Sequence, residues 1–398
     1  MNLKPIVGLL NLSRLPAQAL PAFITQTHEN PDLAHLCMQM FYVLLAMGQR
    51  EFALEMQARA LKLRRLYRLE GPEQPAIRLL ALMAPGDLLD NTPLEFLIEH
   101  GDVQLDLLYL LPDQALPEEI PEHDLVMLAI GESDNNRPLL AQAQTLLADW
   151  PRPVLNPASA IGNCARDIAY QRLRDIPGLV MARTQRLSRE QIRNPRFPLT
   201  IRPVDTQGGT GLEKIDTQAA LDAFVERHAG TDYFVADYVD YRDDDGLFRK
   251  LRIVLIDGEP FICHLAISGD WMVHYLSAGM ELSESKRTEE AAAMVNFEQD
   301  FGLRHGASLR EISRRLGLDY AVLDCAQTSA GRLLLFEVDS RAWVHSTDDV
   351  ALFPYKPAVM QKAYDAFRAM LWRRMATAGC NLYPGFTELP HKGMNKQG

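Results

Sequence analysis

The sequence predicts an α+β protein that includes an α/β domain and, before it, an N-terminal helical region. Three patterns support this fold class. Apolar residues recur at helical spacing over residues 31–69. Near-continuous apolar runs at 77–86, 103–111 and 124–131 are typical of parallel strands that are buried on both faces. From about residue 160 onward, helical and strand patterns alternate and are joined by hairpin signals.

The expected domains are a helical region at 1–74, an α/β domain at 75–155 and an α+β part at 156–385. The chain has 398 residues, of which 47% are hydrophobic, and both values suit two or three globular domains. The tail after Pro384 is polar, and we expect it to fray.

Composition and charge exclude several classes of protein. No apolar stretch approaches the ~20 residues needed to cross a bilayer, and the N-terminus lacks the pattern of a secretory signal, so we expect a cytoplasmic protein with no membrane partner. Five scattered cysteines without Cys-x-x-Cys spacing argue against a disulfide framework or a zinc site. The net charge of −11, from 41 basic and 52 acidic residues, disfavours nucleic acid as a partner. We therefore expect a small-molecule ligand.

The helical region consists of two periodic stretches that Gly48 separates. Ala53 and Ala60 follow at a spacing of seven residues, where small side chains let two antiparallel helices approach closely. The pattern resembles one tetratricopeptide repeat. Because such repeats need about three units to bury their faces, we expect an appendage that packs on a neighbouring domain, and a protein partner at these helices is the less favoured interpretation.

The α/β domain lacks the glycine pattern of dinucleotide-binding folds. Only Gly86 follows the first strand, before Asn91-Thr92-Pro93 starts a helix. The fingerprint Gly-x-Gly-x-x-Gly is missing there, and a dinucleotide-dependent oxidoreductase is therefore disfavoured. The helix start has two interpretations, a plain cap, which is favoured, or a site for a substrate carboxylate.

The α+β part is predicted to be built on antiparallel strands. Asp257-Gly258 and Ala330-Gly331 each have the composition of a hairpin turn between alternating runs. The predicted helices are 160–175, 217–229, 287–316 and 357–377. The predicted strands are 198–204, 233–239, 248–256, 260–267, 271–276, 319–327 and 332–339.

Three carboxylates fall on one face of the last predicted hairpin. If Ala330-Gly331 form a two-residue loop, Asp324 lies opposite Glu337, and Asp339 follows two residues along the same face. Their mutual repulsion would raise their pKa values unless a cation neutralises them. Hard oxygen ligands of this kind suit Mg²⁺ bound together with phosphate oxygens. The alternative is a solvated sheet face on which surface arginines pair with these acids.

Two further segments are compatible with a nucleotide site. A predicted strand carries Arg202 and runs into the glycine-rich loop 207–211, whose backbone N–H groups can close on phosphate oxygens, although most such loops are simple turns. Residues 231–241 are an extended apolar segment whose backbone edge can bind an adenine edge, with Asp237 available for a ribose or amino group. On the next strand, Arg252 begins an alternating run toward the edge of a site.

Taken together, these segments resemble the ATP-grasp superfamily, whose members include glutathione synthetase and D-alanine:D-alanine ligase. The resemblance covers about residues 75–350 and implies two lobes that clamp ATP, the smaller at about residues 180–240, preceded by a small α/β domain. It implies a Mg²⁺ site, with Mn²⁺ as an alternative ion, at Asp324, Glu337 and Asp339, the last replacing the family's usual Asn. The nucleotide-binding positions that it implies are Arg166, Arg202, Gly208, Gly209, Gly211, Asp237, Tyr238 and Val239, where both arginines replace family lysines.

The resemblance also implies an ADP-forming ligase. In this reaction ATP phosphorylates a substrate carboxylate, and an amine then displaces phosphate from the acyl phosphate to give an amide. Arg252 matches the family's arginine and would stabilise the acyl phosphate. Arg341 is a candidate for holding a substrate carboxylate, and His264 and His274 are candidates for accepting the amine proton, although a structural histidine is the plainer interpretation of each. Both substrates are expected to be small molecules or peptides.

The sequence leaves two other functions open. The same residues would serve a kinase that phosphorylates a small molecule, because the nucleotide and metal sites are common to both reactions. A non-catalytic helical scaffold with a degenerate nucleotide site is disfavoured, since a degenerate site has no reason to keep three facing acids. A homodimer is compatible with the sequence, which does not define the oligomeric state.

Overall fold

The computed structural model describes residues 3–15, 24–25, 32–99, 101–228, 230 and 232–382. In these residues the strands form sheets of six, four and five strands, one mostly parallel and two mostly antiparallel, and the predicted combination of α/β and α+β structure is confirmed. The tail after Pro384 lies outside the described residues. Among the described helices, none is long and apolar enough to cross a membrane.

The six-stranded sheet forms the α/β domain. Its strands are β1 (Pro5–Ile6), β2 (Leu66–Leu69), β3 (Ile77–Met83), β4 (Val103–Tyr109), β5 (Leu125–Leu128) and β6 (Val154–Leu155). The order is β1-β2-β4-β3-β5-β6, and all neighbours run parallel except β2 and β4. The central strands β4 and β5 are buried along their whole length, as near-continuous apolar runs predict.

Two N-terminal helices, Leu33–Ala46 and Arg50–Leu63, form an antiparallel hairpin. The turn between them places Gly48 at a φ of 72°, a conformation that favours glycine. Ala53 and Ala60 are fully buried where the two helices meet. Their small side chains allow the helices to approach closely, whereas larger side chains would hold the helices apart. The hairpin is present, but a tetratricopeptide repeat is not confirmed.

The prediction of helix up to residue 69 was wrong. The helix ends at Leu63, and the following residues form β2, which pairs with β4 and with β1. The short apolar run Leu66-Tyr67-Arg68-Leu69 is compatible with either structure, and pairing with the sheet decides between them. The predicted region 1–74 is therefore joined to the α/β sheet through two strands.

The other nine strands of the described chain form the α+β part. They are β7 (Leu179–Met181), β8 (Thr184–Leu187), β9 (Leu199–Pro203), β10 (Glu213–Ile215), β11 (Tyr233–Asp237), β12 (Phe248–Ile256), β13 (Glu259–Ser268), β14 (Tyr320–Gln327) and β15 (Leu333–Asp339). The four-stranded sheet has the order β10-β9-β11-β8 and is antiparallel throughout. The five-stranded sheet has the order β13-β12-β14-β15-β7, and only β15 and β7 are parallel.

The hairpin between β12 and β13 confirms one turn signal. Asp257 and Gly258 connect Ile256 to Glu259 and have φ values of 52° and 88°. Positive φ at both central residues is the geometry of a type I′ turn, which Asp-Gly favours. Local sequence is thus sufficient to fix this connection.

The remaining helices cover the sheets. They are Leu9–Ser13, Leu94–Leu97, Arg137–Leu146, Ala158–Ile161, Arg166–Leu173, Gln218–Arg227, Glu284–Val295, Phe301–Leu316 and Lys356–Leu382, with 3-10 turns at Gly162–Cys164, Arg189–Gln191 and Tyr275–Ser277. The predicted helix 287–316 is in fact two helices. The predicted strand 271–276 was wrong, because this segment is a loop that ends in a 3-10 turn.

The core has two parts. One continuous cluster joins the N-terminal helices, the α/β sheet and the five-stranded sheet, and four cysteines are buried and free of disulfides. A second, smaller cluster fills the space between the four-stranded sheet and helix Gln218–Arg227, with Phe224 and Tyr233 fully buried. The four-stranded sheet thus has a core of its own.

Candidate active site

A cavity of about 580 Å³ is lined by residues of both the four-stranded and the five-stranded sheet. This volume lies in the range of small-molecule sites. Nine charged side chains line it, five basic and four acidic, and its other walls are mainly apolar. The charged residues are Arg166, Arg202, Lys250, Arg252, Arg341, Asp324, Glu337, Asp339 and Asp348. The lining therefore carries a slight excess of positive charge, which favours an anionic ligand.

The three predicted metal-binding carboxylates lie together in this cavity. Asp324 on β14 is directly opposite Glu337 on β15, and Asp339 is two residues further along β15. Asp324 is 3% exposed. Alternation along the strands puts all three on one face, as the sequence pattern predicts.

The loop of this hairpin is longer than predicted. The Thr328 N–H donates to the Arg332 carbonyl oxygen at 2.9 Å, so that three residues rather than two form the loop. A bulge in the next part of the ladder, between Asp324 and Cys325, places Phe336 without a partner on β14. The bulge shifts the register by one residue and restores the predicted opposition of the two carboxylates.

Asp324 is held by two cations from β12. Arg252 donates from Nε to Oδ1 at 2.8 Å, and Lys250 donates from Nζ to Oδ2 at 3.0 Å. Burial disfavours the charged carboxylate, but Arg252 and Lys250 outweigh it and hold the pKa of Asp324 well below its usual range. Arg252 also donates from Nη2 to Asp324 Oδ2 at 3.1 Å and from Nη1 to the Trp343 carbonyl oxygen at 3.1 Å.

Glu337 is paired with Arg166, the first residue of helix Arg166–Leu173. Burial raises the pKa of this carboxyl, and the charge of Arg166 more than compensates, so that the net effect lowers the pKa of Glu337. Arg202 is 6% exposed, and its Nε donates to Thr206 Oγ1 at 3.0 Å. Burial, followed by the like charge of Arg166, lowers the pKa of Arg202 to about 10. The two arginines are thus close enough to act on one anion.

Asp339 lies beside Arg341 and near the α/β domain. Its Oδ1 accepts the Arg341 backbone N–H at 2.9 Å and lies 3.5 Å from the guanidinium Nε. Burial raises the pKa of Asp339 in spite of this arginine. Gly131 of the α/β domain is essential to the packing, because a Cβ there would lie 2.2 Å from Arg341 Cδ. Among the described residues, Nε of Arg341 is buried without a hydrogen-bond partner.

The donor chemistry of the three carboxylates fits Mg²⁺, which prefers oxygen ligands. Each carboxylate is paired with a basic residue of the chain, and within the described ranges no group of three or more His, Cys, Asp or Glu side chains is arranged to hold a metal ion. Metal binding would therefore require the arginines and Lys250 to move from the carboxylates toward an added anion. Phosphate groups in the same cavity would provide that anion.

Two glycines of the loop after β9 reach the cavity, and the third does not. Gly208 and Gly209 line it with φ values of 60° and 81°. Gly211 has a φ of 65°, and a Cβ at this position would lie 2.9 Å from Pro203 Cδ. Its glycine is explained by the turn itself, and the structure does not support a direct ligand contact for it.

The predicted adenine-binding segment is only partly directed into the cavity. Tyr238 and Val239 line it, and the Tyr238 ring packs edge to face on Trp271 at a centroid distance of 5.9 Å. Asp237 ends β11, is exposed and does not line the cavity, so its predicted contact with a ribose or amino group is not supported. Alternation along the strand explains this, since Ala236 and Tyr238 take the inner side.

Both predicted histidines line the cavity. The His264 ring lies 4.4 Å from the Tyr275 ring, centroid to centroid. Burial holds the pKa of His264 well below its usual range, with Arg252 acting in the same direction, and burial also lowers the pKa of His274. Both imidazoles are therefore neutral at pH 7, and each would be protonated only when a nearby anion stabilises its charged form.

Sequence reasoning did not assign three residues that the structure brings to this site. Lys250 lies two residues before Arg252 on β12, and this spacing alone puts both side chains on one face. Asp348 follows the last strand and lines the cavity, and Lys356, which begins the C-terminal helix, lies behind it and pairs with Asp348. No pattern in the sequence marks these two, since an irregular loop brings Asp348 to the cavity.

No protein-family model matches the chain, and the comparison with curated proteins gives no match. Solved structures that are similar include D-alanine–D-alanine ligase from Bacillus anthracis complexed with ATP, at 14% identity and a TM-score of 0.48, over 76% of this chain and 99% of that one. The ligase of the same name from Coxiella burnetii is 10% identical, with a TM-score of 0.49, over 77% of this chain and 98% of that one.

A further similar structure is a RimK domain ATP-grasp protein from Sphaerobacter thermophilus. It is 18% identical, with a TM-score of 0.43, over 74% of this chain and 99% of that one. All three TM-scores lie below 0.5, so the function proposed below rests on the side-chain geometry of this chain and on the resemblance of its motifs.

Proposed function

We propose that this protein is an ATP-dependent, ADP-forming ligase of the ATP-grasp type, which joins a carboxylate to an amine through an acyl phosphate. One observation carries the proposal above all others. Three carboxylates on facing strands lie among five basic side chains, in a cavity that two antiparallel sheets share. This set of charges suits a nucleoside triphosphate and a divalent cation together.

In this proposal the four-stranded sheet belongs to the smaller lobe and covers the nucleotide base. The apolar lining from β7, β11 and the segment after it suits a base, and it consists of Met181, Ala182, Ala236, Tyr238 and Val239. Stacking and apolar contact at such a surface bind a ring without charge. The domain division at about residues 75, 156, 180 and 240 is part of the same proposal.

The phosphates would be bound by Arg166, Arg202 and Lys250, together with the backbone of Gly208 and Gly209. The arginines provide bidentate contacts, and the positive φ of the glycines lets backbone N–H groups approach an anion. The basic residues that now pair with the carboxylates would exchange these partners for phosphate oxygens. In the structure these cations thus already lie where the phosphates would bind.

Asp324, Glu337 and Asp339 would hold Mg²⁺ or Mn²⁺ once Arg166 and Lys250 turn to the phosphates and Arg252 and Arg341 turn to the substrate groups. A divalent cation bound there offsets the charge that develops during phosphoryl transfer. Arg252 lies on the same face as Lys250 and is fixed by the Trp343 carbonyl oxygen, so it is placed to stabilise the acyl phosphate.

Two further residues are proposed to act on the substrates. Arg341 is buried, and its Nε makes no hydrogen bond among the described residues although it lies 3.5 Å from Asp339 Oδ1, and we assign it to the substrate carboxylate. His264 and His274, which are neutral, are candidates for accepting the proton that the amine releases.

The test is a thermal-shift measurement of the wild type and of Glu337→Gln, each with and without saturating Mg-ATP. A ligand at about 100 times its dissociation constant stabilises a protein by about 2.7 kcal/mol, which corresponds to several degrees. We expect the shift in the wild type and its loss in Glu337→Gln. Glu259→Gln, an exposed glutamate on β13 of the same sheet, is the matched control and should keep the full shift.

The second stage is a screen of carboxylate and amine pairs for ADP release and amide formation. ADP release together with an amide supports the ligase. A phosphorylated acceptor without an amide supports the small-molecule kinase instead. If Mg-ATP does not stabilise the wild type, the nucleotide site itself is wrong.

A further inference from the structure

One part of the cavity lining is distinct from the phosphate-binding residues in its charge and in its aromatic content. It consists of His264, Tyr275, Trp343, His345 and Asp348, and we call it the acceptor region. It is connected to the phosphate-binding residues through the hydrogen bond between Arg252 and the Trp343 carbonyl oxygen. Its chemistry is not explained by a nucleotide.

A buried lysine lies behind the acceptor region. Lys356 Nζ donates to Asp348 Oδ2 at 3.1 Å and to the Tyr275 hydroxyl, and it lies 3.5 Å from Glu290 Oε1. The Lys356 side chain is 3% exposed. Two of its three N–H donors are used by Asp348 and Tyr275, and Glu290 adds an ion pair. Lys356 is therefore a buried structural cation that does not line the cavity.

Glu290 is fully buried and is also satisfied from within. Its Oε2 accepts the hydroxyls of Tyr355 at 2.6 Å and Tyr275 at 3.1 Å, and its Oε1 accepts the Leu265 N–H at 3.2 Å. Glu290 thus faces the protein interior. One lysine then remains to balance two carboxylates, those of Glu290 and Asp348, and the excess negative charge is directed into the cavity through Asp348.

Asp348 is the member of this network that is open to a ligand. Its side chain is 18% exposed, it lines the cavity, and within the described residues its Oδ1 accepts no hydrogen bond. Lys356 fixes the other oxygen. A carboxylate that is held by one oxygen and has the other directed to an open space is arranged to accept hydrogen bonds from a cationic donor.

Aromatic rings stand beside Asp348. Trp343 and His345 are in edge contact at a centroid distance of 6.0 Å, and Phe96 of the α/β domain packs on Trp343 at 5.3 Å. The π-faces of such rings attract an organic cation. The α/β domain therefore contributes to the shape of the acceptor region, although it lies far from it in sequence.

We propose that the acceptor region binds the second substrate as a protonated primary or secondary amine, with Asp348 as the residue that selects it. The inference rests on the proposed ligase function, and it specifies which end of the site takes the amine and in which charge state it binds. The bound ammonium gives one proton to His264 or His274, the neutral amine then displaces phosphate from the acyl phosphate, and the departing phosphate takes up the second proton. The basic residues of the phosphate-binding part would repel an ammonium group. The amine is thereby directed to the one carboxylate of the cavity lining that is not among the three metal-site candidates.

The experiment compares small probes of equal shape and different charge. Dissociation constants of butylammonium, butanol and butyrate, and of benzylammonium and benzyl alcohol, are measured by ligand-observed NMR with the full-length protein. For the wild type we expect the ammonium probes to bind about ten-fold more tightly than their neutral isosteres, a difference of one charged hydrogen bond. Equal binding of the ammonium probes and their neutral isosteres would overturn the assignment, whereas butyrate reports separately on the carboxylate end of the site at Arg341.

Variants then locate the site of binding. Asp348→Asn should reduce the ammonium preference to less than about two-fold, and Asp348→Glu, which keeps the charge, should retain a part of it. Asp349→Asn is the matched control, because Asp349 is the adjacent residue, is exposed and caps the Ala351 N–H without lining the cavity. An ammonium preference that survives Asp348→Asn, or that Asp349→Asn removes, contradicts the role of Asp348.

The Mg-ATP thermal shift, measured on the same samples, separates this inference from the proposed function. The shift should be equal in the wild type and Asp348→Asn, which also shows that the variant is folded. A normal Mg-ATP shift without an ammonium preference overturns the acceptor region alone. An ammonium preference that depends on Asp348 without any Mg-ATP shift keeps the amine site and overturns the ligase.

Discussion

Two aspartates of this protein have the same local setting and different surroundings. Asp106 on β4 is directly opposite Arg68 on β2, and Asp324 on β14 is directly opposite Arg252 on β12. Both aspartates are almost fully buried, at 2% and 3% exposure. In both pairs the guanidinium contacts both carboxylate oxygens. The two pairs are therefore equivalent at the level of the strand pair.

The difference lies in what surrounds each pair. Asp106 has one cation and does not line the 580 Å³ cavity. Asp324 has a second cation, Lys250, faces Glu337 on the neighbouring strand, and lines the cavity. A closed pair of one acid and one base contributes to folding, whereas an acid with two bases beside an open space has positive charge available for an anion. The number of partners and the access to the cavity distinguish a structural pair from a functional one.

The largest expected effect comes from Asp324→Asn. Loss of this carboxylate removes a proposed metal ligand and leaves Lys250 and Arg252 without the anion that pairs with them. We expect turnover per folded molecule to fall by about 10³-fold, equivalent to about 4 kcal/mol in the transition state, in addition to a loss of unfolding free energy because two partly buried cations lose their anion. The measurement is ADP formation with an active substrate pair. Turnover within about three-fold of the wild type would show that Asp324 is as structural as Asp106.

The second-largest expected effect is a pH dependence of the unfolding free energy that arises in the α/β domain. Glu95 accepts the backbone N–H groups of Leu9 and Leu10 at 3.2 and 3.3 Å, and burial raises its pKa to about 7. Because the folded pKa is raised, its stabilising contribution is complete below the unfolded pKa of 4.5 and is lost as the pH rises through about 7. Relative to Glu95→Gln, the wild type should lose up to about 3 kcal/mol of unfolding free energy between pH 4.5 and 8.

Urea unfolding of both proteins at several pH values tests this effect. Glu51→Gln, an exposed glutamate of the helix Arg50–Leu63, serves as the control and should follow the wild type. Parallel stability curves for the wild type and Glu95→Gln would show that Glu95 does not titrate in this range.

Asp106→Asn should lower stability but, unlike Asp324→Asn, should leave turnover unchanged. The change leaves Arg68 without its anion in a partly buried place, and we expect a loss of about 2 kcal/mol in unfolding free energy. Turnover per folded molecule should stay that of the wild type. Denaturant unfolding and the ADP assay on the same samples decide this. A large loss of activity without a loss of stability would remove the contrast between the two pairs.

The smallest of these effects is expected for Lys250→Met. The substitution keeps the apolar stem and removes one of the two cations from Asp324, so Arg252 still neutralises the carboxylate. Nucleotide affinity should fall by about ten-fold, or about 1.4 kcal/mol, as measured by titration with Mg-ATP. Lys286→Met is the control, since Lys286 donates to the Ala278 carbonyl oxygen and does not line the cavity. Equal affinities for the wild type and Lys250→Met would exclude a phosphate contact by this lysine.

Much of the fold follows from patterns that are short in sequence. The buried parallel strands, the Asp-Gly turn and the antiparallel strands of the α+β part were predicted from apolar runs, alternation and turn composition. Where prediction failed, the competing structures share the same local pattern. Residues 66–69 fit a helix or a strand equally well, and segment 271–276 alternates like a strand but has no neighbour with which to pair.

The candidate site shows the same limit. The face shared by Asp324 and Glu337 was predictable, and it survived an error in the loop length because a bulge compensates for it. The exposure of Asp237 follows from the same alternation and was available from the sequence. The participation of Asp348 was not, because it lies in an irregular loop whose course no local pattern defines.

By itself, the sequence determined which side chains share a strand face and where the chain turns, since both depend on neighbours within a few residues. Only the tertiary structure decided which cation meets which acid. Arg166 and Glu337 are 171 residues apart, and Arg252 and Asp324 are 72 apart. Sheet order and the packing of distant segments bring these charges together. Burial then strengthens each pair, because a carboxylate in the protein interior has lost its hydration and needs a counter-charge in its place.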